Sequence, residues 1–287
     1  MMESSDQEFS HPATGELDRL RAEMANHPGA AARDRMLELE RAFDIWSPNC
    51  QKLLVLLRVA ETNQDVISEL IQNVRKPTVR DKFLRDLDSA LQAFVGSTVA
   101  LVDITRRAVK ADIDSDFGRE FTRRNNVVRA VVGVAVIRGL RNYLLHYASA
   151  PIVTRASFTP DGPLTGSVVL ESATLLKYDG WDSASKKYIK ANAEGVQLSA
   201  ILPEFQAAMN DLYRWLFEAY GDLHDGDFGG YNDLVRRYNL ALTGGTHDGS
   251  DWHEFMDHVG DNIRARKDGK PQTSWQDAKG NQGTPPV

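Results

Sequence analysis

Apolar residues return every three or four positions through most of this chain, a spacing that predicts a succession of amphipathic helices. Leu17, Leu20 and Met24 mark the first, which His27-Pro28-Gly29 interrupts. Met36, Leu39, Phe43 and Trp46 share one face of a second, and Ser47-Pro48-Asn49 predicts its end, because a proline ring clashes with the turn before it. A third run over 50–75 uses Leu53, Leu54, Leu57 and Val59, then Val66, Ile67, Leu70 and Ile71, and stops at Lys76-Pro77-Thr78. From Val79 to about Lys110 the spacing predicts one long helix, about 50 Å at about 1.5 Å per residue. The polar stretch Asp112 to Asp116 is a joint and a natural place for an N-cap.

The next helix, about Phe117 to Tyr147, differs in kind. Between Val127 and Ile137 it reads VVRAVVGVAVI, apolar on nearly every side, which predicts a central buried helix. Gly133 and Gly139 would admit close neighbours, and Pro151 bars continuation. Then the period changes: PIVTRASF and LTGSVVLES, joined by Thr159-Pro160-Asp161-Gly162-Pro163, predict a β-hairpin at about 152–172. Leu175 to Trp181 fits no single pattern. Helical spacing returns after Leu202, with Pro203 in the first turn, and runs through Phe205, Met209, Leu212, Trp215 and Leu216 to about Tyr220. A last helix is predicted from about Tyr231 to Leu242. Residues 1–14 and 244–287 are polar and read as disordered ends, so the predicted fold is mainly α, one helical bundle over 15–243 with a small inserted β-hairpin.

Composition narrows the class. A single cysteine, Cys50, excludes an internal disulfide framework and fits a reducing compartment. The first sixteen residues are acidic and polar, unlike a secretory signal. The run 127–137 is too short for a bilayer. The expectation is a cytoplasmic protein without a membrane partner. The net charge of −6 argues against general coating of nucleic acid, but the charge is uneven. Residues 75–141 carry 14 basic and 8 acidic groups, so a positive middle lies between acidic flanks and can draw an anion locally.

At the end of that middle segment stands Arg141-Asn142-Tyr143-Leu144-Leu145-His146. Arginine grips phosphate with a planar fork, and histidine moves protons near neutral pH. On a helix Asn142 and His146 share a face, as do Arg138 and Asn142, whereas Arg141 and His146 lie about 140° apart. Val127, Val131, Val134, Arg138, Arg141 and Leu145 fall on one broad side, so an apolar stripe leads into two guanidinium groups. Residues 136–147 hold no acid to pair with them, and buried unpaired charge is costly, so they should meet an anion or open onto a cleft. The bland alternative is that Arg141 and His146 serve the helix C-terminus, which favours cations and donors to its last carbonyls.

Arg141-Asn142-x-x-x-His146, late in a helix of a helical bundle, resembles the Arg-x4–6-His motif of the HEPN superfamily, in which a polar residue follows the arginine. The resemblance covers about residues 32–150 and the helix at 203–220, with the hairpin and C-terminal part outside it. It implies a metal-independent endoribonuclease of the kind used in toxin–antitoxin and phage-defence systems, with no cofactor and no metal. His146 would act as general base toward a ribose 2′-OH, Arg141 would hold the scissile phosphate, and Asn142 would orient either one. It also implies a homodimer with a composite site, and an antitoxin or another protein partner. Arg138, Arg123 and Arg124 are the expected RNA contacts. The alternative from another class is a non-catalytic helical module that binds RNA or a protein, with Arg141 and His146 as anion-binding or capping residues; a structural dimer is a third.

Other candidates carry less. His247, His253 and His258 lie among acids, but the five-residue step between the last two is not the i, i+4 of helical zinc sites. Asp225-Gly226-Asp227 fails as a calcium loop, because Gly229 and Arg236 occupy ligand positions. Cys50 reads as a core residue. The doublet Arg106-Arg107 suits a solvated helix end or a phosphate contact. Lys186, Lys187, Tyr188 and Lys190 near Trp181 suit RNA or an exposed loop.

Overall fold

The computed structural model describes residues 14–72, 77–157, 164–245 and 247–250, together with 254, 257, 261, 264 and 265. Among them are ten α-helices and one two-stranded antiparallel sheet, the mainly α architecture with a hairpin that the periodicities predict. The chain forms two compact units, residues 1–34 with 224–287, and residues 35–223, where the sequence pattern suggested one bundle over 15–243.

In the first unit α1 (Thr14–Asn26) packs on α10 (Asp225–Leu242). Arg21 Nε donates to the Tyr238 hydroxyl at 3.0 Å, and its guanidinium lies 5.5 Å from the Tyr238 ring centre. α10 begins six residues before the predicted Tyr231, absorbing three glycines. Gly230 faces the His27 ring, and Gly29 lies against the backbone of Asp227, so small residues let the chain segments touch. Residues 244, 245 and 247–250, expected to be disordered, are ordered by local hydrogen bonds. His247 is buried, Gly249 N–H donates to its Nδ1 at 2.9 Å, and Asn239 Nδ2 donates to the Asp248 carbonyl at 3.1 Å. The expected disorder at 1–13 and 266–287, the hairpin turn at 158–163, and His253 and His258 lie outside the described residues.

In the second unit several predicted stops are overridden. α2 (Pro28–Thr62) runs straight through Pro48. A proline inside a helix costs about 3 kcal/mol. Wholly buried Trp46, Cys50, Leu53 and Leu57 flank it on one face and offset that cost. The third run is split instead at Asn63, whose side-chain oxygen accepts from Asp65 and Val66 N–H at 3.1 Å and caps α3 (Gln64–Gln72). α4 (Pro77–Ala108) is the predicted long helix, followed by a 3₁₀ turn over Lys110–Asp112. Its stretch Arg80–Ala108 is long and apolar enough to cross a membrane by length and composition, and 39% of its apolar window is buried inside this fold.

The predicted single helix 117–147 is two helices. α5 (Asp116–Ala130) starts at an N-cap, Ser115, whose Oγ accepts from Gly118 N–H at 3.3 Å, and α6 (Val134–His146) follows an elbow. Val131 leaves the helical region at ψ 129°, and Gly133 turns the chain at φ 82°. A Cβ on Gly133 would stand 2.7 Å from Ile201 Cδ1. Val127 and Val132 are exposed, so the apolar run is not a rod buried on all sides. After it come β1 (Ile152–Ser157) and β2 (Thr165–Leu170), paired from Ile152↔Leu170 to Ser157↔Thr165. Then follow α7 (Ser172–Leu175), α8 (Ser183–Ala191) and α9 (Leu198–Leu223). α9 begins a turn before the predicted start, so Pro203 lies inside it. α8 was not predicted, although Asp182 caps it by accepting from Ser185 N–H at 2.7 Å.

Candidate functional site

α6 is held by its inner face. Val136, Ile137, Leu140 and Tyr143 are buried, and the Tyr143 ring stacks on Trp181 with centroids 5.8 Å apart and planes 21° apart. Trp181 is pinned in turn, its Nε1 donating to the Leu175 carbonyl at 2.7 Å. Gly139 lies under the same indole, where a Cβ would come within 2.5 Å of Cε3. Burial raises the Tyr143 hydroxyl pKa, and neighbouring Tyr147 adds to it.

Fixing that face leaves Arg138, Arg141, Asn142, Leu145 and His146 exposed on the opposite one. At about 100° per residue these five occupy a single arc of about 140°, with Arg141 at one edge, His146 at the other and Asn142 between. Of the expected apolar stripe Val131 and Val134 are buried while Val127 and Leu145 are exposed, so it does not run unbroken along the helix. The elbow at 131–133 resets the phase, so the apolar stripe of α6 passes through Ile137 and Leu140, and the guanidinium groups look outward.

None of the Arg141, Asn142 and His146 side chains has a hydrogen bond or ion pair with any described residue, so none caps the helix. The end of α6 closes through its own backbone, with Tyr147 and Ala148 N–H both donating to the Tyr143 carbonyl. Arg138 differs: its guanidinium meets Asp182 at 3.3 Å, both side chains about half exposed. Hydrogen bonds from Ser185 hold the Asp182 carboxyl below its ordinary pKa, and Arg138 adds to this.

Beside the Arg141 edge lies a groove of about 770 Å³ between α4, α5, α6 and α9. Arg138, Arg141 and Asn142 line it; His146 does not. Three further cations, Arg106, Lys110 and Arg129, also line it, against one carboxylate, Asp103. Asp103 is matched to Arg106 at 3.4 Å, and Lys110 and Arg129 have no acidic partner among the described residues. The structure thus adds Lys110 and Arg129 to the predicted candidates. The signal for Lys110 was the helical spacing of Val102, Arg106, Val109, Lys110 and Ile113, which needed α5, with Arg129, opposite it to mean anything.

Arg123 and Arg124 are not in the groove. Arg123 Nε and Nη2 and Arg124 Nε all reach the Glu120 carboxylate at 2.7 Å, and Arg124 also lies 4.9 Å from the Trp215 ring centre. The hydrogen bond from Arg123 leads in drawing the Glu120 carboxyl down to about 2. The lysines near Trp181 lie on α8, where Tyr188 packs toward Gly133. Cys50 is buried, and desolvation pushes its thiol up to about 12, which makes it a poor nucleophile. Among the described residues no three of His, Cys, Asp and Glu gather as a metal site. No protein-family model, curated protein or solved structure matches the chain.

Proposed function

We propose that this protein is a HEPN-like, metal-independent endoribonuclease acting as a homodimer, with Arg141, Asn142 and His146 as its reacting surface. The observation that carries the reading is that all three side chains are exposed on one arc of a rigidly seated helix and satisfy no structural need. A capping or ion-pair role would require partners, and an exposed arginine and imidazole at the two edges of one arc are free to receive a phosphodiester once a second copy brings such edges together.

In the reaction His146 takes the proton from a ribose 2′-OH. The O2′–P bond forms, the P–O5′ bond breaks, and the departing 5′-oxygen takes a proton from solvent, leaving a 2′,3′-cyclic phosphate. Arg141 holds the non-bridging oxygens as charge grows on them, and Asn142, one turn from His146, orients the imidazole. Arg138, tethered to Asp182, extends the phosphate contact along the arc. A second copy meeting the first across exposed Leu145 would set the Arg141 of one protomer against the His146 of the other and so remove the 140° separation. The single buried cysteine suits the reducing cytoplasm, and an antitoxin or another protein partner remains part of the proposal.

The position of His146 outside the groove favours a second reading, a non-catalytic RNA-binding module that uses Arg138, Arg141 and the groove rim. One experiment separates the two. Purified protein is incubated with single-stranded RNA in EDTA beside His146→Ala and Arg141→Ala. The nuclease reading expects cyclic-phosphate ends from the parent and none from either variant. Binding that His146→Ala leaves intact, with no cleavage by any form, supports the module instead. Cleavage by His146→Ala at the parental rate refutes the assigned chemistry.

A further inference from the structure

The groove beside α6 is more apolar than phosphate binding requires. Its floor is largely aliphatic, with Val102, Val109 and Ile113 on one side and Val128, Ile137 and Met209 on the other. Val102 and Ile113 are 42% and 40% exposed, so aliphatic surface is open to a ligand there. Its volume of about 770 Å³ falls within the range of about 300–1,000 Å³ typical of small-molecule sites. Along α4 and the first residue of the turn after it the lining extends from Thr98 to Val109, about 17 Å at the helical rise. The rim is cationic, and three of its groups, Lys110, Arg129 and Arg141, have no acidic partner among the described residues. An aliphatic floor under unmatched cations calls for a ligand with an aliphatic body and a negative end.

We infer that this groove binds a single-chain anionic amphiphile, an alkyl chain ending in one carboxylate or phosphate, with its chain on the floor and its head at the cationic rim to which Lys110, Arg129 and Arg141 belong. At about 1.2 Å per extended backbone bond the span suits a chain of about 12–14 carbons. Neutral lipids leave the cations unmatched, and cationic ones meet them with like charge. Arg141 and Asn142 line this groove and also stand in the proposed nuclease arc, so an occupied groove competes with RNA; this consequence rests on the nuclease reading, whereas the binding itself does not.

The test is calorimetric binding of dodecanoate, dodecyl phosphate, dodecanol and dodecylamine below their micelle concentrations, with the full chain. The expected result is binding of both anions, at least tenfold weaker binding of the alcohol, and none of the amine. Affinity should rise about three- to fourfold per methylene from ten to fourteen carbons. A carboxylate preference points to fatty acids and a phosphate preference to lipid phosphates. Val102→Asp and Arg129→Glu, both exposed positions, should each weaken dodecanoate at least tenfold with melting temperature unchanged. Equal binding of amine and carboxylate, parental affinity in Val102→Asp, or capture of an acidic amphipathic peptide with no amphiphile bound would overturn the proposal. In a parallel cleavage assay, dodecanoate should inhibit the parent and not Val102→Asp. Amphiphile binding by a protein that cleaves no RNA upholds the groove and sinks the nuclease reading. Cleavage indifferent to a bound amphiphile overturns the competition.

Discussion

Two groups of arginines lie within twenty residues of each other and meet opposite fates. On α5, Arg123 and Arg124 converge on Glu120, one turn away, and are held by three charge-assisted hydrogen bonds. On α6, Arg141 has no acid one turn before or after it, and neither it nor His146 acquires a side-chain partner among the described residues. Arg138 lies between these cases, taken up by Asp182 from 44 residues away. Basic residues at helical spacing are thus uninformative until their acids are found. A guanidinium already bound is a poor phosphate receptor, because phosphate must displace a carboxylate rather than water.

The strongest test of this contrast is catalytic. His146→Ala should lower RNA cleavage by about 10²–10⁴-fold, the usual contribution of a general base, and Arg141→Ala by a comparable factor, while Arg123→Ala and Arg124→Ala leave the rate within twofold, all measured on one labelled RNA. Equal losses from both pairs would erase the distinction. Next in size, Gly133→Ala should destabilise the protein by about 1–3 kcal/mol in urea unfolding, because it combines a left-handed backbone with a Cβ pressed against Ile201 and Tyr188. Since Gly133 is the elbow that turns the arginines of α6 outward, that variant should also lose RNA affinity.

Smaller effects concern titration. The Cys50 thiol, raised to about 12 by burial, should resist iodoacetamide at pH 8 in the native protein and react once urea unfolds it. Its raised pKa contributes stability below about pH 9 that is lost as pH climbs toward 12, because only the unfolded chain ionises over that window. Smallest is Glu120. Its carboxyl, drawn down to about 2 from the ordinary 4.5, contributes stability above that ordinary value that fades as pH falls toward 2, and Glu120→Gln should flatten this part of the acid limb without changing cleavage. A Glu120→Gln protein that cleaves faster would show that Arg123 and Arg124 had been withheld from RNA.

Much of the fold was legible because it rests on spacing. The helical runs, the hairpin and an N-cap within Asp112–Asp116 follow from which residues recur and which polar side chains precede them. Proline and glycine were misread where packing outweighed local cost. Pro48 and Pro203 sit within helices because the buried faces around them contribute more than one lost hydrogen bond removes. Gly133 broke a helix that composition alone would continue, because its positive φ answers to Ile201 and Tyr188, nearly seventy and fifty-five residues away. The cap at Asp182 carries no signal of a helix by itself, since Leu175 to Trp181 before it follows no period.

Residue order alone dictated helix spacing, the absence of an internal disulfide, the pairing of Glu120 with the two arginines one turn on, and the concentration of charge and chemistry near 141–146. These are local properties, set by which side chains lie within one turn or one hairpin. Which face of α6 meets solvent, that Lys110 and Arg129 share a groove with Arg141, and that His146 stands at the far edge of the exposed arc depend on Trp181 seating one side of the helix and on the elbow at Gly133. Those contacts join residues dozens of positions apart, where no periodicity along the chain can encode direction.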